Sequence, residues 1–159
     1  MDATLLAHIR TLIDDKTAPY AVSDQEIANL GATRRRELYF DLLVSKDDLV
    51  WYAGYNYVEV TRLTDEYEGA GALTPTTADP IEGRWAFAAE QIAVYVYGFA
   101  YDLMDIVSMC WLYKADTADV GINYSLGDES VDSSAYKQHC ISQYHRYRTS
   151  RSGQWRRHR

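Results

Sequence analysis

Cysteine is scarce in this chain: Cys110 and Cys140 are the only two in 159 residues. Their number and separation exclude a disulfide framework and a CxxC metal or redox motif. Both are expected to be reduced, packed side chains of a cytosolic protein. Long apolar runs are lacking as well. The longest stretch free of charged and amide side chains, Ile92–Tyr101, is half of the roughly 20 residues that cross a bilayer, and Asp102 and Asp105 follow it. No membrane partner is expected. Met1-Asp2 offers no positively charged start and Asp14-Asp15 interrupts before any apolar core, so no signal peptide is expected either.

Catalytic motifs are equally few. No HExxH, GxSxG or GxxxxGK[ST] pattern occurs. Of the four histidines, His139 and His145 are six apart, which misses the three- or four-residue step that puts two ligands on one helix face. His139 and Cys140 are neighbours, and neighbours on a helix point in different directions. The acidic doublets Asp14/Asp15, Asp47/Asp48, Asp65/Glu66 and Asp128/Glu129 all fall in expected turns, where solvated acids are the ordinary outcome. Asp102 and Asp105 share a helix face and read as a cap or a solvent edge. No catalytic residue, metal site or cofactor is expected, and the chain does not read as an enzyme.

What is present is an ordinary globular composition, 47% hydrophobic and 25% charged. A chain of this length buries roughly 70% of its unfolded surface and needs neither metal nor disulfide to fold. Charge is split along it. Residues 131–159 hold seven Lys/Arg against one acid, a charge of +6, which leaves −13 for the remainder of the −7 total. An acidic body with a basic C-terminal segment suggests an interaction arm. Trp155 lies among its arginines, and tryptophan and arginine are the usual anchors of interfaces. The acidic body argues against a wide nucleic-acid footprint. Tyrosine, at fourteen residues, is abundant and is enriched at protein interfaces, although it is also a common strand residue.

Apolar spacing predicts a helix over residues 3–13, with Leu5, Leu6, Ile9, Leu12 and Ile13 on one face. Ser23-Asp24-Gln25-Glu26 is a capping box opening a second helix that ends near Gly31. Residues 38–45, 49–53, 57–63, 84–89 and 92–97 read as strands, with turns at 45–48, 54–56, 65–71 and 74–79. After Gly98 the period returns to 3.6. A largely apolar helix is expected to about Lys114, then a polar, turn-rich stretch over 116–130. The last helix runs from about Asp132 to Arg148, with Tyr136, Cys140, Tyr144 and Tyr147 on one stripe. The expected class is α+β: a small helical bundle of two N-terminal and two C-terminal helices with an inserted antiparallel β-sheet or small barrel. Residues 1–148 form one domain, helical over 1–36 and 98–148 with the β insertion at about 37–97, and 149–159 is a basic tail.

The order of these segments resembles the head–tail connector proteins of tailed bacteriophages, also called adaptor or head-completion proteins. Leu12-Ile13-Asp14-Asp15 followed by Tyr20-Ala21-Val22-Ser23-Asp24-Gln25-Glu26-Ile27 is similar to their opening. Ser125-Leu126-Gly127-Asp128-Glu129-Ser130-Val131, leading to Tyr136, Tyr144 and Tyr147-Arg148, is similar to their close. Leu73-Thr74-Pro75, Gly83-Arg84-Trp85-Ala86-Phe87 and Tyr97-Gly98-Phe99-Ala100-Tyr101-Asp102-Leu103 look like variants with a β insertion. Ser23, Asp24, Glu26, Gly127 and Asp128 are the motif positions. The resemblance implies a non-enzymatic virion neck protein, assembled in the host cytoplasm as a ring of twelve copies beneath the portal protein. Such a ring extends the DNA channel, lets DNA pass through its lumen without sequence-specific binding and receives a stopper or tail-completion protein. It also implies a portal-binding C-terminal segment, here Arg148, Arg151, Trp155, Arg156, Arg157 and Arg159. The alternative is a small nucleic-acid-binding protein using the basic C-terminal helix and tail.

Overall fold

The Asp2 carboxylate accepts the Thr4 N–H at 2.7 Å and so caps the first helix, α1 (Ala3–Leu12). Leu5, Ile9 and Ile13, four apart, form its fully buried stripe. The computed structural model describes residues 1–16, 21–45, 47–69, 71–118, 125–126, 129–130 and 133–150. The expected capping box opens α2 (Asp24–Thr33): Glu26 N–H donates to Ser23 Oγ at 3.2 Å, and Ser23 N–H donates to Glu26 Oε2 at 2.7 Å. Gly31 does not end this helix. It is a buried position inside it, and two further residues follow.

Seven strands come next: β1 (Arg35–Leu42), β2 (Val44–Ser45), β3 (Val50–Tyr52), β4 (Val58–Thr64), β5 (Thr77–Asp79), β6 (Arg84–Ala86) and β7 (Tyr95–Tyr101). They make two antiparallel sheets, ordered β1-β7-β4 and β2-β3-β6-β5. The strand expected over 38–45 is divided at Leu43, a buried residue whose N–H bonds to the Val94 carbonyl at 2.8 Å as the chain leaves one sheet for the other. One strand, β5, lies inside a segment expected to be turn. It pairs with β6, and the Thr76 hydroxyl and N–H both reach the Ala86 carbonyl beside it. The sheets share an apolar core in which Leu38, Val58, Leu63, Val96 and Ala100 meet Trp51, Trp85, Phe87 and Val94.

Strand β7 also corrects the expected return to helix after Gly98. The strand runs on to Tyr101, because Gly98 pairs with Leu38 on one side and Val60 on the other. A Cβ at Gly98 would stand 2.1 Å from the Glu59 carbonyl oxygen. The glycine therefore marks a close backbone approach inside the sheet and not its end.

Helix α3 (Leu103–Thr117) follows at once, with buried Asp102 in the cap position. Two short strands, β8 (Ser125–Leu126) and β9 (Glu129–Ser130), pair antiparallel before α4 (Ser133–Ser150). The class is α+β, with four helices and two antiparallel sheets among the described residues in addition to the β8–β9 pair. By internal contacts the chain divides into a β unit, Met1–Leu5 with Arg34–Asp102, and a helical unit built from Leu6–Thr33 together with α3 and α4. No helix among the described residues is long and apolar enough to cross a membrane.

The helical unit is fastened by buried charges, and one of them, Asp15, is read from the sequence as a solvated turn acid. Asp15 is buried, not solvated. It accepts Arg10 Nη1 at 2.9 Å and the Ala21 and Val22 N–H groups at 3.1 Å each. Arg10 also donates to the Val22 carbonyl at 2.6 Å and to the Asp24 carboxylate. Lys114 is buried as well, its Nζ donating to the Ile13 carbonyl at 2.9 Å and lying 4.7 Å from the Trp111 ring. On α4, Cys140 is fully buried and Tyr144 and Tyr147 are half-buried, as the expected stripe requires, but Tyr136 is 37% exposed.

Candidate interaction surfaces

The β unit carries an aromatic face on the outside of the three-stranded sheet. Along β7, Val96, Gly98 and Ala100 point into the core, so Tyr95, Tyr97 and Phe99 point away from it. A register shift in β1 between Leu38 and Asp41 brings Phe40, at φ 51°, beside them. Phe40 stacks on Tyr97 with ring centroids 5.7 Å apart. Tyr39 meets both of these rings edge-on at 5.1 and 6.0 Å. Tyr67, in the loop after β4, meets Phe40 at 5.8 Å and Tyr95 at 6.0 Å. Arg62 on β4 lies 5.9 Å from the Phe40 ring. Offset and edge-on pairs at these separations favour a fixed arrangement of rings. Tyr39 and Tyr67 nonetheless remain 56% and 59% exposed, and Leu42 beside them 58%.

The loop that carries Tyr67 is acidic and held in place. Thr64 Oγ1 donates to the Glu66 carbonyl at 2.7 Å, and the Gly69 N–H donates to the same oxygen at 3.0 Å. Tyr39 donates its hydroxyl to Glu68 at 2.9 Å, which raises the Tyr39 pKa above its ordinary value because the neighbouring carboxylate disfavours a second negative charge. At the far end of the sheet Arg35 lies 3.8 Å over Phe99, and the Tyr101 hydroxyl is bonded to Glu59.

The helical unit has a groove of about 360 Å³ between α2 and α3, floored by Val22, Leu30, Met109 and Leu112 and edged by Glu26, Tyr113 and Asp116. Three of the motif positions lie by its edge or in the adjoining clasp. Ser23 and Glu26 form the capping box, and Asp24 pairs with Arg10. Hydrogen bonds from Tyr113 and Ser23 hold the Glu26 carboxyl below its ordinary range. The polar groups of this cluster thus serve both the helix start and its ties to α1 and α3.

Of the arginine-rich segment, Arg148 is an exposed residue near the end of α4, its guanidinium bonded to the Tyr144 hydroxyl and 5.5 Å from that ring. Arg151, Trp155, Arg156, Arg157 and Arg159 lie outside the described residues, as do Gly127 and Asp128. His139 is exposed and meets Trp111 edge-on at 5.6 Å, whereas its neighbour Cys140 is buried, and burial pushes that thiol above its ordinary pKa. Among the described residues no group of three or more His, Cys, Asp or Glu is placed to hold a metal ion.

The abundance of tyrosine is visible in the sequence, but its gathering into one face is not. That depends on the bulge at Phe40 and on pairings between strands far apart in the chain. Compared with known proteins, the chain matches no family, no curated protein and no solved structure.

Proposed function

We propose that this chain is a non-enzymatic assembly protein of the phage head–tail connector kind, a ring subunit that sits beneath a portal and passes DNA through its lumen. The observation that supports this best is the chain order. Helices α2, α3 and α4 and most of α1 belong to one unit, and the segment Arg34–Asp102 of the β unit is inserted between α2 and α3, the arrangement the resemblance implies for a connector with a β insertion. An exposed aromatic face on a three-stranded sheet is the expected equipment of a protein whose work is contact with other proteins. In this reading the basic C-terminal segment, from Arg148 to Arg159, docks on acidic portal side chains through bidentate arginine contacts with Trp155 as an apolar anchor. The acidic remainder keeps the ring from sticking to the DNA that moves through it.

Native mass spectrometry of the chain mixed with the portal protein from the same genome tests this directly. A discrete complex with several copies per portal is the expected result, and deletion of residues 149–159 is expected to abolish it. Portal binding undiminished by that deletion would remove the docking role from the tail. Absence of any complex would count against the connector reading as a whole. The nucleic-acid alternative draws on one feature of α4, the lack of any acid in its 18 residues. It predicts DNA affinity that falls by several decades with rising salt, as counterion release from many phosphates requires.

A further inference from the structure

The aromatic face and helix α4 carry opposite chemistry on one chain. Around Tyr67 and Tyr39 the rim is acidic, with Asp65, Glu66 and Glu68 exposed on a loop fixed by the Thr64 and Gly69 hydrogen bonds. Helix α4, Ser133–Ser150, contains no Asp or Glu, and it exposes His139, His145, Arg146 and Arg148. Each of the two arginines lies against a tyrosine of its own helix, Arg146 5.8 Å from the Tyr147 ring and Arg148 5.5 Å from Tyr144.

We propose that the aromatic face of one copy receives the arginine-bearing, acid-free C-terminal end of α4 from a second copy, with Arg146 and Arg148 two residues apart on different sides of that helix. The inference rests on the ring reading above and names the contact that would build the ring. Three properties carry it. The rings are fixed by one another, so little side-chain entropy is lost when they are covered. Guanidinium groups suit both halves of the platform, lying flat on Tyr and Phe rings and forking onto the Glu66 and Glu68 carboxylates at the rim. The charges complement locally although the whole chain, at −7, repels its copies at long range. Because the two patches differ, the contact is head-to-tail, and a head-to-tail contact repeats into a closed ring when its rotation closes.

Sedimentation velocity on the full chain at low and high salt tests the proposal, using one variant for each patch. Tyr67→Ser with Glu66→Lys alters the platform, and Arg146→Glu with Arg148→Glu alters the helix. All four side chains are exposed, and thermal unfolding monitors the fold of each variant; Tyr67→Ser alone serves if the double platform variant is unstable. The wild-type chain is expected to self-associate at low salt and to dissociate as salt rises. Each variant alone is expected to be monomeric, with association weakened by at least about tenfold, a loss of about 1.4 kcal/mol. An equimolar mixture is expected to form a heterodimer and nothing larger, since only one intact pair of patches remains. Wild-type chain that stays monomeric at low salt overturns the proposal. So do variants that assemble like wild type, or a mixture that forms no heterodimer. Portal binding by the same variants is read separately. Multi-copy portal complexes that persist with both patches altered overturn this contact and leave the ring reading standing.

Discussion

Phe40 stacks on Tyr97 with its plane 24° from parallel, although its own backbone sits in the left-handed region at φ 51°. A non-glycine residue there costs about 1–2 kcal/mol, and the ring contacts with Tyr39, Tyr67 and Tyr97 offset that cost. The usual order of substitutions is therefore expected to invert. Phe40→Ala loses the rings and keeps the backbone cost, whereas Phe40→Gly loses the rings and is relieved of it. The glycine variant should be the more stable of the two by about 1 kcal/mol in urea denaturation. An alanine variant as stable as the glycine one would show that the backbone at this bulge carries no strain.

The Arg10 clasp separates buried from exposed partners of one guanidinium. Arg10→Met is expected to cost about 3–5 kcal/mol, because it leaves the buried Asp15 carboxylate without its counter-charge. The side chain of Asp24 is 59% exposed, and Asp24→Asn should cost less than about 1 kcal/mol. Thermal unfolding of the two variants checks the contrast. Equal losses would mean that the Asp24 arm bears as much of the clasp as the Asp15 arm.

Gly98 and Gly54 test two different reasons for a glycine. A Cβ at Gly98 would meet the Glu59 carbonyl oxygen at 2.1 Å and the Val60 Cα at 3.1 Å, so Gly98→Ala must push β4 away from β7. A loss of about 2 kcal/mol or more is expected, with faster amide exchange along β4. At Gly54 the backbone has φ 69° but nothing lies within 4 Å, so Gly54→Ala should cost about 1 kcal/mol and leave exchange in the sheet unchanged. Similar exchange profiles for the two variants would contradict the close approach.

These residues also show which parts of the architecture can be read from sequence. The first two helices are legible because their determinants are local: apolar residues four apart in α1, and Ser23 with Glu26 at the start of α2. The sheet order is not legible, because β1 and β4 both pair with β7, which is distant from each of them in the chain. Gly98 reads as a break for the same reason: the neighbour that forbids a side chain there belongs to another strand. Asp15 reads as a solvated turn residue until Arg10 and the Ala21 and Val22 N–H groups are brought around it. The aromatic platform combines both kinds of information. Tyr95 and Tyr97 are legible as outward strand positions, whereas Phe40 reaches them through a bulge that no propensity marks.

The Tyr101 hydroxyl offers a pH test of the far end of that sheet. Burial, and then its hydrogen bond to Glu59 and the charge of that carboxylate, push Tyr101 from its ordinary value of 10.0 up to about 12. The folded chain thus holds this proton more tightly than the unfolded chain, so between those two values the folded state carries more bound protons. The stabilisation is complete below the unfolded value and is lost as pH rises through the folded one. Stability measured in urea is expected to fall between about pH 10 and pH 12 more steeply for wild type than for Tyr101→Phe. Glu59→Gln should bring the Tyr101 titration down, yet leave it above the ordinary value, since burial is the larger cause. The difference in tyrosinate absorbance between wild type and Tyr101→Phe follows that single group among fourteen tyrosines. A difference titration centred at the ordinary phenol value would mean that Tyr101 meets solvent and that the Glu59 bond does not persist.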